Sequence, residues 1–553
     1  MTEIIRVDGA PGVGKSTRLF EFVEEEKESG KSLSDLYYLT FTRSGREESA
    51  TKLAEVFPTA DQEDLMKRAK TFHGAAWVAC AINGLWEDPN EQIIQPTTDE
   101  EVFRAFCDVN GLSYAGESNT LKAIRDGEDV DGAGDALFAK NDWLKLTRRS
   151  PEDHHMAPTS MALEHERVTG LLTGWEDYKL RGRSDSSLPL YEHADYVDEA
   201  IRREWTPPAS VLFLDEFQDL SPQEYKLFKT WRDSGQFDRI YIAGDANQSI
   251  YSFRAGTPLY FEETPVDRTI EKKKSYRCPA DIVRTARGVL EDCKDTDPKG
   301  FRAARPGGDV KEISVTTAEE VGQLVKREAA IHEADGGPSV MLLTRANYQV
   351  YALSKALRNV GVPHEFLGRQ SAAWNDTLTE LLEALRTLDR GAGGMSRKQV
   401  SSLFSHVPQA KKRKSRIGEL TGGVYQAKKV WNAFPDLNSA ADVAKRLDFD
   451  RYKREMLASA VSTTAVTKPG DVKVGTIHAA KGLEAPSVLL FDAYTPQLVD
   501  AYNDDARAEE HRLYYVGVTR ASETLNLVRD YFDGPSVPIF DRGIPEFNGE
   551  VVR

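Results

Sequence analysis

The sequence predicts an α/β protein built on two parallel-sheet cores, each interrupted by a mostly helical stretch. Three observations lead there. Strand-like runs rich in β-branched and aromatic residues come in two sets, "IIRVDG", "LYYLTFT", "VLFLDE" and "RIYIAGD", then "VMLLTR", "VKVGTIH", "SVLLFD" and "TLNLVR". Helical patterns such as "STRLFEFVEEEKES" and "VYALSKALRNVG" lie between many of them, and such alternation marks parallel sheets covered on both faces. Two long polar stretches, about Ala76 to Glu204 and about Ser371 to Lys468, break the alternation within a set rather than between sets. The expected layout is 1–75 with 205–265 for the first core and 76–204 for its insertion, then 266–370 with 469–553 for the second core and 371–468 for the second insertion.

A chain of 553 residues exceeds what one core supports, and 40% hydrophobic with 29% charged residues is ordinary globular composition. No apolar run approaches the ~18 residues of a membrane span, and "MTEIIRVDGAPG" lacks the layout of a signal peptide, so a cytoplasmic protein with no membrane partner is expected. Cys80, Cys107, Cys278 and Cys293 are widely spaced without a CxxC, which makes them reduced packing residues rather than a zinc or disulfide framework. His154 and His155 show no metal-ligand spacing either. A formal charge of −16 argues against coating nucleic acid by bulk electrostatics, so any phosphate contact needs a focused channel. The densest basic run is "KKRKSR", Lys411 to Arg416, which reads either as a solvated loop or as a contact to duplex phosphates. No repeat at a fixed period and no low-complexity tract is visible.

The first strand runs into "GAPGVGKST", a G-x-x-x-x-G-K-[ST] loop opening a helix. Gly9, Ala10, Pro11, Gly12, Val13, Gly14, Lys15, Ser16 and Thr17 are therefore candidate phosphate-binding residues. The glycines let backbone N–H groups converge on phosphate oxygens, Lys15 reaches the β- and γ-phosphates, and the Ser16 hydroxyl is placed to ligate Mg²⁺. The strand "VLFLDEFQDL" ends in Asp215, Glu216 and Asp219. Asp215 can meet the metal held by Ser16, and Glu216 can accept a proton from the attacking water. Gln218 and Asp219 are not needed for hydrolysis alone.

Seven further stretches occur in a fixed order: "LTFTRSGREES", "TFHG", "DEFQD", "GDANQSIYSFRAG", "KSYRCP", "VGTIHAAKGLEAPSVLLF" and "EEHRLYYVGVTRAS". Together with the phosphate loop they resemble motifs Ia, Ib and II to VI of the UvrD/Rep family of superfamily 1 DNA helicases, over nearly the whole chain. The resemblance implies two RecA-like cores, ATP and Mg²⁺ as cofactors, and movement along single-stranded DNA with 3′ to 5′ polarity. It implies that Gln248 senses the γ-phosphate, that Arg277 and Arg520 reach that phosphate from the second core, that Tyr276 stacks on adenine and that Glu484 lies near the nucleotide. Gln218 and Asp219 would couple nucleotide state to the DNA-contacting segments. Thr42, Phe72, His73, Tyr251, Phe253, Arg254 and His478 fall on DNA-contacting positions, where aromatic stacking gives a grip that does not depend on sequence.

Several positions depart from the family pattern. Only eight residues precede Gly9, so the upstream glutamine that reads adenine is not expected. Thr17 stands where an arginine is usual, Arg43 and Ser44 where Asn-Lys is typical, and Asn247 where Asp is frequent. Partners implied are single-stranded DNA, single/double-strand junctions, and a repair, replication or defence protein. The alternatives to a helicase are an ATP-gated nucleic-acid sensor acting with a nuclease and a non-catalytic binding module; intact Lys15, Glu216, Gln248, Arg277 and Arg520 weigh against the last.

Overall fold

The computed structural model describes residues 2–96, 98–116, 132–182, 188–291, 296, 298, 300–332, 337–368, 376–409, 413, 423–449, 451–462, 470–503, 506–535 and 537–540. The first sheet is formed by β1 (Glu3–Gly9), β2 (Leu36–Thr40), β3 (Ala69–Thr71), β4 (Val211–Leu214), β5 (Arg239–Gly244) and β6 (Arg268–Lys272). Their order is β3-β2-β4-β5-β1-β6, and every neighbouring pair is parallel. β2 and β4 are buried along their whole length, because helices cover both faces of a parallel sheet. One face packs Leu19, Phe22, Phe213 and Tyr241; the other packs Phe72, Leu212, Leu214 and Trp231. The parallel order brings the carboxyl ends of β1, β4 and β5 to one edge, where open α/β sheets place their sites.

β6 carries the first sheet past the boundary expected at residue 265, and its pairing with β1 sets Ile5 opposite Arg268 and Gly9 opposite Lys272. "RTIEK" is mostly polar because an edge strand needs no apolar run. The next strands, β7 (Lys274–Ser275) and β8 (Arg302–Ala303), form a short pair of their own. The chain divides into two compact units, and the first holds Met1–Arg277, Val289–Ala304 and Asp500–Tyr515. Tyr276 and Arg277 thus belong with the phosphate loop's own unit, which corrects the assignment of Arg277 to the second core.

The remaining strands are β9 (Asp309–Ser314), β10 (Val340–Thr344), β11 (Glu365–Phe366), the insertion strands β12 (Gly394–Ser396) and β13 (Val424–Gln426), and β14 (Val472–Thr476), β15 (Ala485–Phe491) and β16 (Ala521–Arg529). The second sheet runs β11-β14-β10-β15-β16-β9, again parallel throughout, so the two sheets form two RecA-like cores.

In the first insertion the helices Ala133–Thr147 and His165–Arg181 bury Phe138 and Trp175 against Phe103 and Phe106. Glu176, Glu192 and Asp195 cluster like metal ligands, but Lys145 and Lys179 already pair with all three at 2.5–3.0 Å. The second insertion has its own apolar core, from Leu378 to Val461. Its strands β12 and β13 pair antiparallel, each leads into a helix, and the two strand–helix units match at an offset of thirty positions. Met395 faces Tyr425 across the ladder, Arg397 N donates to Gly423 O at 3.0 Å, and Ala427 N donates to Gly393 O at 3.1 Å. Phe404 stacks on Phe434 at 5.9 Å. Such a two-copy match was not expected from the sequence. Cys80, Cys107 and Cys278 are buried, with Cys80 Sγ donating to Tyr196 O at 3.4 Å and Cys278 Sγ to Thr519 O at 3.6 Å, and Cys293 lies outside the described residues. Among the described residues no helix is long and apolar enough to cross a membrane.

Candidate functional site

The turn after β1 takes left-handed conformations at Gly12 (φ 68°) and Gly14 (φ 81°), and Gly14 is the residue from which the helix Lys15–Glu28 starts. Side chains rarely adopt this region, so the sequence spends glycine at both. The Lys15 ammonium donates to Gly9 O at 2.8 Å and Ala10 O at 3.3 Å. Gly14 O accepts from Arg18 N at 3.0 Å and from Lys272 Nζ at 3.1 Å. The segment after β6 closes on this loop: Ser275 Oγ donates to Pro11 O and Tyr276 N to Gly12 O, both at 2.8 Å. The Tyr276 ring itself is 67% exposed, and Arg277 is half-buried beside Gly12.

At the end of β4 the Ser16 hydroxyl donates to Asp215 Oδ2 at 2.6 Å, and Glu216 N donates to Asp215 Oδ1 at 3.0 Å. Burial, with the neighbouring Glu216 charge second, pushes the Asp215 carboxyl up to about 6. Glu216 is held at φ 59°, a conformation costly for a side chain and typical of functional sites. Gln218 then does what hydrolysis alone could not explain. Its Nε2 donates to Glu216, its Oε1 accepts from Asp245 N at 3.1 Å, and its carbonyl accepts from Ser249 Oγ at 3.1 Å. Gln248 Nε2 and Tyr515 OH both donate to Asp245, at 3.0 and 3.3 Å. One amide thus ties the acid at the end of β4 to the loop after β5.

That loop continues into an aromatic cluster. Tyr251 lies 4.9 Å from Phe41 and 5.9 Å from Phe253, and the Arg254 guanidinium sits 5.2 Å from the Phe41 ring. All four are half-buried. Phe41 was not singled out from the sequence, although it stands inside "LTFTR", next to Thr42. Thr42 is exposed and its hydroxyl caps the helix Arg43–Val56 by accepting from Gly45 N at 3.0 Å. Phe72 departs from the expectation of a base-stacking platform: it is 3% exposed and stacked on Trp231 at 5.5 Å in the core. His73, the next residue, is half-exposed, and burial pushes it down to about 4.

In the second unit His478 is buried and Glu484 is exposed. Arg520 is only 1% exposed, with its guanidinium donating to Val516 O at 2.9 Å, Leu483 O at 3.1 Å and Thr519 Oγ1 at 3.3 Å. Of the basic run, Lys411, Lys412, Lys414 and Arg416 lie outside the described residues. Arg413 pairs with Asp436 at 3.1 Å, donates to Ala433 O at 3.0 Å and packs on Phe434, so it is engaged within its own insertion.

The model of the UvrD/REP helicase N-terminal domain matches residues 1–267, and that of the UvrD-like helicase C-terminal domain matches residues 432–529. The chain belongs to the UvrD/REP helicase family. It is similar to the ATP-dependent DNA helicase UvrD2 of Mycobacterium tuberculosis, 24% identical over 71% of this chain and 59% of that protein. It is also similar to the ATP-dependent DNA helicase PcrA of Staphylococcus epidermidis, 23% identical over 57% of this chain and 54% of that protein. This UvrD/REP chain therefore spans between 54% and 59% of the length of these curated relatives. A crystal structure of the C-terminal domain of a possible DNA helicase from Lactobacillus plantarum matches 48% of the chain at 14% identity, and its TM-score of 0.23 gives it no weight for the fold. Within the UvrD/REP N-terminal match lie the phosphate loop, the acids after β4 and the cluster around Phe41.

Proposed function

We propose that this UvrD/REP protein is an ATP-driven motor on single-stranded DNA that moves 3′ to 5′ and separates strands. The observation that carries the reading is the meeting of Ser16 Oγ and Asp215 Oδ2 at 2.6 Å behind a G-x-x-x-x-G-K-S loop. The cluster of Phe41, Tyr251, Phe253 and Arg254 in the same unit supports the nucleic-acid half. "ATP-dependent DNA helicase", the description of UvrD2 and PcrA, agrees with it.

An oxygen-only pair of hydroxyl and half-buried carboxylate, the carboxylate raised by desolvation and by the neighbouring Glu216 charge, fits Mg²⁺. Ser16 and Asp215 would hold that ion, which when bound supplies positive charge to the β- and γ-phosphates. Lys15 exchanges its loop carbonyls for phosphate oxygens. Glu216 takes a proton from the attacking water, and Gln218 holds that carboxylate in place. Gln248 is the sensor of the γ-phosphate, and Gln218, through Asp245 N, carries the state of Glu216 to the loop that ends in Tyr251 and Arg254. Tyr276, exposed next to Gly12, stacks on adenine. Of the two arginines assigned to the γ-phosphate, Arg277 is the one that the phosphate loop's own unit carries.

The test is strand displacement on 3′-tailed, 5′-tailed and blunt duplexes, run beside DNA-stimulated ATP turnover. Displacement confined to the 3′-tailed duplex is expected. Turnover stimulated by DNA without displacement of any duplex would overturn the motor in favour of an ATP-gated sensor.

A further inference from the structure

Glu224 is a charged residue, 2% exposed, that none of the chemistry above uses. One of its oxygens has an evident local role. Oε2 accepts Ser221 N and Ser221 Oγ, each at 2.9 Å, while Ser221 Oγ accepts Glu224 N at 3.2 Å, a reciprocal cap on the helix Pro222–Asp233. A cap of this kind needs an acceptor and not a charge: glutamine serves equally well. Burying a carboxylate is costly, so the charge calls for partners of its own.

Those partners face the other oxygen. Oε1 lies 3.6 Å from His73 Nδ1 and 3.9 Å from the Arg254 guanidinium. The two side chains come from segments far apart in sequence, the helix Phe72–Ile82 and the loop after β5. Arg254 leads to Phe41 and Tyr251. His73 leads to the first insertion, its ring edge-on to His193 at 6.0 Å and to Tyr196 at 6.3 Å. These separations exceed a direct hydrogen bond, so the link to Arg254 is electrostatic, and in a poorly solvated site it is weakly screened; His73, pushed down to about 4 by burial, is neutral near pH 7 and stands beside the carboxylate as a neighbour rather than a countercharge.

We propose that Glu224 is a positioning residue for the nucleic-acid face: its carboxylate fixes Arg254 against the Phe41–Tyr251 pair. The inference rests on the nucleic-acid reading above. It assigns to Glu224 no contact with nucleic acid; Glu224 acts through Arg254.

The experiment is a binding titration of fluorescent oligo-dT against the full chain at low salt, with Glu224→Gln, Arg254→Gln, the double variant and Ser221→Ala. Glu224→Gln keeps an acceptor for the cap and removes the charge, and it is expected to raise Kd about five- to ten-fold, with a thermal midpoint close to wild type. Arg254→Gln should do at least as much, and the double variant should bind no more weakly than Arg254→Gln, because the carboxylate then has nothing to position. Ser221→Ala removes the hydroxyl that caps the helix and bonds Oε2 but leaves the charge on Glu224, and it should lower the thermal midpoint while leaving Kd within about two-fold. Wild-type affinity in a folded Glu224→Gln, additive losses in the double variant, or an equal loss of affinity in Ser221→Ala would each overturn the positioning role. Should Glu224→Gln fail to fold, Glu224→Asp takes its place: the shorter side chain draws the carboxylate back from Arg254, so weakened affinity in the folded variant supports the role and unchanged affinity overturns it. Wild-type protein that binds no oligonucleotide overturns the functional reading itself, a result distinguishable because it needs no variant.

Discussion

Replacing Gly12 by alanine tests how the phosphate loop depends on the segment that closes over it. Gly12 is left-handed at φ 68°, and a Cβ there would lie 2.4 Å from Arg277 Cβ and 2.9 Å from Ser275 Oγ. Neither neighbour is the far end of a flexible chain, so the 275–277 segment must move off. Two hydrogen bonds go with it, Tyr276 N to Gly12 O and Ser275 Oγ to Pro11 O. The left-handed backbone costs alanine roughly 1–2 kcal/mol, and each lost bond about 1 kcal/mol. The sum, about 3–4 kcal/mol, corresponds to a rise in nucleotide Kd of roughly 10²- to 10³-fold, since binding requires the native loop. Gly14 supplies the control. It is also left-handed, at φ 81°, but a Cβ there would come no closer than 3.6 Å to Lys272 Nζ, so Gly14→Ala meets the backbone cost alone, about 5- to 30-fold. Titration with a fluorescent ADP analogue reads both. Nucleotide affinity in Gly12→Ala within about three-fold of wild type, or a larger loss in Gly14→Ala, would refute the reasoning.

Glu216→Gln should bind nucleotide and block its hydrolysis, since the amide cannot take the proton; steady-state turnover equal to wild type would sink the base assignment. His364 is buried with Nδ1 donating to Val362 O at 2.9 Å and Nε2 accepting from Ser354 Oγ at 2.7 Å, and burial pushes it from 6.5 down to about 4. Between those two values the unfolded chain binds the proton that the folded chain refuses, so stability falls as pH drops from 6.5 to 4, by about 3 kcal/mol in total. Urea midpoints followed over that range should slope for wild type and slope less for His364→Gln; equal slopes would count against the assignment. In the second insertion, Phe434→Ala removes a buried ring stacked on Phe404 and should cost about 3–5 kcal/mol, read as faster proteolysis within 376–462 under native conditions.

What was legible in the sequence was what short-range chemistry dictates. The phosphate loop could be read because Gly12, Gly14, Lys15 and Ser16 are adjacent and each is demanded by local geometry. Asp215 could be read because the same chain carries a phosphate loop whose Ser16 needs a carboxylate beside it at the metal, and the structure brings the two together. Three misplacements share a cause. Phe72 looked like a platform because it falls on a DNA-contacting position of the family's motif, yet the first turn of its helix faces Trp231, a contact 159 positions away that periodicity does not encode. β6 was hidden because an edge strand can be polar, and Arg277 went to the wrong unit because the fold-back of 275–277 onto Gly12 leaves no local mark. Phe41 was overlooked inside a quoted motif because what marks it is not local: the Arg254 guanidinium, 213 positions away, packs on its ring.

The matched strand–helix units of the second insertion are two halves of one small core. Met395 and Tyr425, Val400 and Val430, Leu403 and Ala433, Phe404 and Phe434 are buried pairs, each thirty positions apart, and the two ladder-flanking bonds, Arg397 N to Gly423 O and Ala427 N to Gly393 O, repeat at the same offset. A strand of three residues and one short helix cannot cover its own apolar side; a second copy turned to face it can. A small gene segment doubled in tandem would give this arrangement, with each half serving as the other's missing surface. Variation within this insertion should then come in linked pairs, a bulky residue gained in one half answered by a bulky one lost from the other, as Leu403 and Ala433 already suggest across their shared core.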